Sequence, residues 1–339
     1  MWSGSCSEGL ISAFQFSAFQ LFRFQPPPRM NIFLTGASGL VGSAFARAAK
    51  RRGHRVLAVL GGSYRNNIEG AARHLEADLL TPGAITTTVL DMFPDAIVNC
   101  AAIADPARCD AEPVLSQRLN VDLPAELATV AHHLSARLVH VSSEQVFDGS
   151  HPPYAVSASP SPLNRYGRQK LASEQALAAA APEFAATVRA PLLTGNSLSG
   201  RRSLHEKLFA DWAAGRAPRL FTDEFRQPCT AENLAEVLLE LCERPALRGV
   251  FHWAGSETLS RYDIARRIRA HFKLGEAAAP LIPVSRASDP AAAATRPADL
   301  SLILKPLAGN IKTAVESFDA QLDQLVVPPP FREWYFAQD

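Results

Sequence analysis

The chain has almost no net charge: its 34 Lys and Arg residues are opposed by 33 Asp and Glu, leaving +1 over 339 residues. So weak a field does not draw a nucleic-acid backbone, and no basic stripe concentrates it, so no nucleic-acid partner is expected. Cysteine is scarce too. The five (Cys6, Cys100, Cys109, Cys229, Cys242) are odd in number, scattered and without CxxC spacing. That argues against a disulfide framework or a metal site and suits a reducing, cytoplasmic compartment. No apolar run approaches the roughly 20 residues that span a bilayer, so no membrane partner is expected either. What is present, 47% apolar and 20% charged residues, is the composition of a globular chain with a sizeable core.

Residues 1–29, rich in Phe, Gln and Ser, differ from the rest. They carry no basic n-region and no clear cleavage site after an apolar core. The segment reads as a poorly ordered tail or an upstream start, with the folded protein expected from Met30. From there short apolar runs alternate with helix-like segments. "NIFLTG", "HRVLAVL", "ARHLEADL", "DAIVNCAA", "ARLVHVSS" and "AATVRAPL" read as six strands. Between them lie a helix closed by Gly53, one capped by Thr81 with Pro82 in its first turn, one over 114–134 broken at Pro124, and one over 163–180.

Continuous apolar strands alternating with amphipathic helices imply parallel strands covered on both faces. The expected fold is therefore α/β: a Rossmann-type doubly wound parallel sheet over 30–195. A smaller α/β substrate-binding cap is expected over 196–339, with segments returning to the core. Helices near 204–215, 232–243 and 261–272 and the short strand "GVFHWAG" are assigned to this second part.

"TGASGLVG" sets Gly36, Ser38, Gly39, Leu40, Val41 and Gly42 between the first strand and its helix. A turn without side chains lets the backbone approach a pyrophosphate at a helix N-terminus, which is the dinucleotide reading of this spacing. An NAD site would carry an acid near the end of the second strand, but that stretch reads "VLGGSYR". Ser63 and Arg65 could receive a 2′-phosphate, which favours NADP(H) and leaves NAD(H) open; a solvated loop is the equal alternative for Arg65. Asp78 follows the third strand, beside an adenine ring or as a helix cap.

"PLNRYGRQK" places Tyr166 and Lys170 at i and i+4, on one helix face. A free tyrosine is a poor acid or base at neutral pH, and an adjacent ammonium is expected to lower its pKa and make it a working proton donor. "VHVSSEQVFDG" ends the fifth strand in Ser142 and Ser143, and a hydroxyl there can polarise a carbonyl held at the sheet's carboxyl edge. Cys100, the pair His132 and His133, and Trp253 read as packing or helix-end residues. Arg226 is open between gripping a substrate diphosphate and a surface ion pair.

These residues resemble the extended short-chain dehydrogenase/reductase family, in particular its dTDP-4-dehydrorhamnose reductase branch, which also takes in the regulatory β subunit of methionine adenosyltransferase. The likeness runs over about 30–307. It is carried by "MNIFLTGASGLVG", "IVNCAAIADPARCDAEPVLSQRLN" and "SSEQVFDG", and more loosely by "DEFRQPCTAENLA" and "RPADLSLILKPL". The resemblance implies Ser143 in place of the catalytic threonine, Tyr166 as proton donor, and Lys170 on the nicotinamide ribose. It puts Gly39, Leu40 and Val41 under the pyrophosphate, Asp78 and Leu79 at the adenine, Ala101, Ala102 and Ala104 along the cofactor channel, and Glu144 on the substrate. The implied activity is NAD(P)H-dependent reduction of a nucleotide-linked 4-keto sugar by a monomer or homodimer. Epimerisation or dehydration of a nucleotide sugar, and a non-catalytic NADP-binding regulatory subunit, are the alternatives. Gln145 departs from the branch's tyrosine, and "VRAPLLTG" lacks its aromatic residue, both on the substrate side.

Overall fold

The structure, a computed structural model, describes residues 29–61 and 67–338. The expectations for the first 28 residues and for Ser63 and Arg65 lie outside the described residues. Six strands, β1 (Asn31–Thr35), β2 (Arg55–Leu60), β3 (Ala71–Glu76), β4 (Ala96–Asn99), β5 (Arg137–Ser143) and β6 (Ala185–Ala190), form one parallel sheet with a seventh, Gly249–His252. Their spatial order is Gly249–His252, β6, β5, β4, β1, β2, β3. The doubly wound α/β fold expected from the sequence is the fold observed.

Side-chain alternation along β1 shows how both faces are filled. Ile32 and Leu34 join one core with Phe45 of α1 (Leu40–Arg51), and Phe33 points into the other. That second core is covered by α2 (Ala84–Met92) and α5 (Leu123–Leu134), with Leu177 from α6 (Arg165–Ala180). Burial on both faces is why the central strands are mostly apolar in sequence, whereas the edge strand β3, AARHLE, is largely exposed and polar. The chain winds outward through β1, β2 and β3 and then crosses to β4 on the other side of β1. The carboxyl ends of β1 and β4 are thus the switch point, where connections diverge and leave a crevice.

Local signals set the boundaries. Gly53, at φ +83°, takes the left-handed position after α1: its N–H donates to Lys50 O, and that of His54 to Ala49 O, closing the helix as a Schellman turn. The helix expected to be capped by Thr81 instead starts at Ala84, with Gly83 at φ +80° as its N-cap, because Thr81 is tied to Asp78. The helical stretch before Pro124 is divided into α3 (Pro106–Ala111), α4 (Pro113–Gln117) and a π-turn at Arg118–Asp122 that leads into α5. That turn aims Asn120 at the loop after β4, where it bonds the N–H and carbonyl of Ile103 and the side chain of Gln169 on α6.

The strand "GVFHWAG" and the helix near 232–243 lie in the main core, not over it. Gly249–His252 pairs with β6, and α8 (Ala231–Glu243) packs on α1 through Leu234, Leu238 and Leu241. Their apolar faces match a sheet face, which loop-rich surroundings in the sequence concealed. α7 (Leu204–Ala213) and α9 (Arg261–His271) build a separate core around Phe209, Trp212, Ile264, Ile268 and Phe272.

The glycine turn owes its shape to clearance. A Cβ on Gly42 would lie 2.2 Å from the carbonyl oxygen of Gly36, whereas one on Gly53 would meet nothing within 4 Å. Gly53→Ala should therefore cost only the left-handed backbone penalty, about 1–2 kcal/mol, and Gly42→Ala should cost more, about 3 kcal/mol or above, by forcing α1 off the turn. Urea unfolding of both variants checks this; equal losses would contradict the close packing of α1 on the turn.

Candidate active site

The crevice at the switch point is built from three strand ends. Gly36, at φ +68°, follows β1, and its backbone comes so near the loop after β4 that a Cβ would sit 2.5 Å from Ala101 N. Gly39 is the N-cap of α1 and supplies no side-chain acceptor, nor is there an acid in the first turn. The first-turn N–H groups at Leu40, Val41 and Gly42 are thus left to an anion, the donor set a pyrophosphate needs, and the residues present fit a dinucleotide. Ser38 is half-buried in the same turn, Ala101 is buried beside Gly36, and Ala102 and Ala104 are exposed in the loop after β4.

Asp78 is exposed and committed to its own loop, accepting from the Leu80 N–H at 2.7 Å and the Thr81 hydroxyl at 2.6 Å. These bonds hold its carboxyl below the usual range, the Thr81 hydroxyl contributing most. It caps no helix, since the N-cap of α2 is Gly83. Leu79 lies against Gly61 at the end of β2.

On the other side of the crevice the two serines separate. The Ser142 hydroxyl donates to Glu174 at 2.5 Å, inside a buried pair with Arg189. Ser143 stays at the strand end, caps the 3₁₀ turn Glu144–Val146 by accepting from Gln145 N at 3.2 Å, and its hydroxyl is near enough to the Tyr166 phenol to favour the phenolate. Tyr166 and Lys170 are both buried on α6, at 7% and 1% exposure. Ser143, Tyr166 and Lys170 thus line one region beside the glycine turn.

The expected depression of the tyrosine is not what burial produces. Desolvation pushes Tyr166 up to about 12, with the Ser143 hydrogen bond opposing and Cys109 and Glu144 adding. It also pushes the Lys170 amine down to about 8 against the attraction of Glu174. The Lys170 amine lies 3.3 Å from His140 Nε2. The phenol therefore keeps its proton at neutral pH, a donor ready for a developing alkoxide.

Several residues that shape the site are absent from the sequence reading. Gly167 lets α6 touch the turn after β5, since a Cβ there would fall 2.1 Å from Gln145 O; a glycine inside a helix beside the tyrosine was the available signal. Asn164 caps α6 through Gly167 N and donates to the Gln145 side chain at 2.9 Å. Gln145, the departure from the branch's motif, thereby anchors the tyrosine's helix. Asn99 and His140 left no signal beyond being polar in apolar strands.

Around Glu144, beyond the end of β5, lies a buried charge cluster. Arg226 is not a surface ion pair: Nε lies 3.2 Å from Glu144, Nη2 3.2 Å from Glu224 and from Pro297 O, and Nη1 2.6 Å from Phe225 O. Arg296 shares Glu224 at 2.6 Å, and Arg261 stands 3.8 Å from it. Trp253 is fully buried and donates to Asn233, and burial pushes the Cys100 thiol up to about 12, so both are packing residues.

Burial raises Glu144 from 4.5 to about 8, with Arg226 opposing and the nearby Glu224 carboxylate adding. The folded protein then keeps a proton that the unfolded chain releases. This group's contribution to stability is present below about pH 4.5 and lost as pH rises through about 8. Glu144→Gln, neutral at every pH, should gain in thermal midpoint over the parent as pH rises from about 5 to about 8. Parallel midpoints would show that Glu144 is already ionised.

The family model described as RmlD substrate binding domain matches residues 30–328. The methionine adenosyltransferase 2 subunit beta of Xenopus laevis is 33% identical over 252 residues, covering 73% of each chain. The probable low-salt glycan biosynthesis reductase Agl14 of Haloferax volcanii is 31% identical over 248 residues, 70% of this chain and 79% of its own. The crystal structure of dTDP-4-dehydrorhamnose reductase from Bacillus anthracis in complex with NADP has a TM-score of 0.73 at 20% identity, over 87% of this chain and 97% of that one, a likeness of fold. The resemblance read from the glycine turn and the "SSEQVFDG" stretch is thereby borne out. With the match spanning nearly all the described residues, the chain belongs to the RmlD substrate binding domain family.

Proposed function

We propose that this protein is an NADP(H)-preferring reductase of a nucleotide-linked 4-keto sugar. The observation that carries the reading is the convergence of Ser143, Tyr166 and Lys170 next to a glycine turn whose helix start is left open to an anion. The NADP in the B. anthracis reductase and the reductase name of the Haloferax relative support it. Gly36 to Gly42 would hold the pyrophosphate and Lys170 the nicotinamide ribose, with Leu79 and the alanines after β4 along the cofactor. The bound dinucleotide would supply the hydride.

This chain's own residues do the rest. Ser143 hydrogen-bonds the substrate carbonyl oxygen and draws charge onto it. Tyr166, kept protonated by burial, gives its proton to that oxygen as the charge develops. Lys170, one helical turn after the tyrosine on α6 and buried, favours the phenolate transiently formed. Glu144 and Arg226 form the substrate-side wall; a diphosphate grip by Arg226 requires it to exchange one of its internal partners.

A second reading, a dinucleotide-binding regulatory subunit, draws on the 33% identity to methionine adenosyltransferase 2 subunit beta. A panel of nucleotide-linked 4-keto sugars, assayed for NADPH and NADH oxidation side by side, separates the two. Turnover with one sugar supports the reductase; NADPH binding without turnover on any supports the subunit. In an active enzyme, Tyr166→Phe should bind NADPH normally and lose about 100-fold or more in kcat. Full turnover by that variant would remove the tyrosine from the chemistry.

A further inference from the structure

Thr35, Asn99 and His140 lie side by side across β1, β4 and β5. Asn99 Oδ1 accepts from the Thr35 hydroxyl at 2.6 Å and from the Ala101 backbone N–H at 3.1 Å. A backbone N–H can only donate, so the amide oxygen must be on that side. Asn99 Nδ2, itself only a donor, then faces His140 Nδ1 at 3.1 Å. Nδ1 has to accept, which leaves the ring proton on Nε2. On that side the Ser173 hydroxyl stands 3.1 Å away and spends its own proton on the Lys170 carbonyl at 2.7 Å, so it accepts from Nε2–H. The Lys170 amine, 3.3 Å from the same Nε2, meets a nitrogen with no free lone pair.

We infer that Asn99 and His140 are positioning residues for Lys170: they lock the imidazole as its Nε2–H tautomer, deny the amine an acceptor on the sheet side, and leave its hydrogens for a ligand in the crevice. The groups facing Lys170 are few. His140 comes from β5, Cys100 from the end of β4, Cys109 from α3 and Glu174 from the next turn of α6. Burial pushes both thiols up, so they stay neutral, and Glu174 is the one carboxylate among these groups. His140 is itself driven well below its ordinary range by burial and by Lys170, so it stays a neutral ring. The amine, brought down to about 8, is sensitive to any acceptor added beside it.

Asn99→Asp tests this with almost no change of shape. One carboxylate oxygen keeps Thr35 and Ala101, and the other replaces a donor with an acceptor against Nδ1. The ring proton should move to Nδ1 and free Nε2 to accept from Lys170. Long-range 1H–15N spectra of the full chain with labelled histidine, His140 assigned by its loss in His140→Gln, read the tautomer directly. The parent should show a protonated Nε2 and Asn99→Asp a protonated Nδ1. The effect on ligand rests on the proposed dinucleotide role. The alkaline limb of NADPH affinity, read by fluorescence titration, should shift upward by about half a unit or more in Asn99→Asp. It should shift the same way in His140→Gln, whose amide can turn its oxygen to the amine. A protonated Nδ1 in the parent, or an unmoved limb in a folded variant, overturns the inference. No NADPH binding by the parent at any pH would instead remove the dinucleotide reading, while the nitrogen shifts still decide the tautomer.

Discussion

The approach of α6 to the turn after β5 has no clearance to spare, and the site depends on it. Gly167 stands where any side chain would overlap the Gln145 carbonyl. Because the helix can come that close, Tyr166 reaches Ser143 from a different element, and Lys170 one turn later lands against β5. The contact is held from both ends: Asn164 caps the helix and grips Gln145, and Asn120 ties Gln169 to the loop after β4. Side chains positioned by two rigid elements in this way are held in one geometry before any ligand arrives, the condition for electrostatic preorganisation.

That geometry is bought with buried polarity. Lys170, His140, Glu174, Arg189, Glu144 and Arg226 are all withdrawn from water. Isolated charges would cost several kcal/mol each on burial, and pairing returns that only when hydrogen bonds are complete. Glu174 and Arg189 are complete, joined by three contacts of 2.7–3.2 Å, with Ser142 on the carboxylate. Glu144 is not, since its Oε2 has no partner. The Glu144–Arg226 pair therefore retains capacity for a further hydrogen bond that the Glu174–Arg189 pair has already used.

Periodicity made the six strands legible, because burial on both faces keeps most of them largely apolar. The seventh, "GVFH", also reads as a strand, but its loop-rich surroundings hid that it completes the main sheet beside β6. The glycine turn and the Tyr–Lys spacing were legible because each carries a local geometric requirement. The tyrosine's pKa was not: local spacing suggested an ammonium's pull, whereas the outcome is set by how much water α6 excludes, a property of the assembled fold. Arg226 misled for the same reason, since four partners, two of them from other segments, converge on it only once the chain is folded.

The row Thr35, Asn99, His140 shows how a sheet can carry chemical information sideways. Residues with register partners on adjacent parallel strands face the same side of the sheet, so Thr35 and Asn99 at the carboxyl ends of β1 and β4 and His140 in the middle of β5 necessarily meet. The first adjoins the glycine turn through Gly36, and the last adjoins the lysine on α6. Hydrogen bonds in such a row have direction. The fixed N–H of Ala101 sets the asparagine, the asparagine sets the imidazole, and each choice excludes its reverse. The backbone that shapes the crevice on one side thereby dictates which atoms are free on the other, without any residue spanning the distance between them.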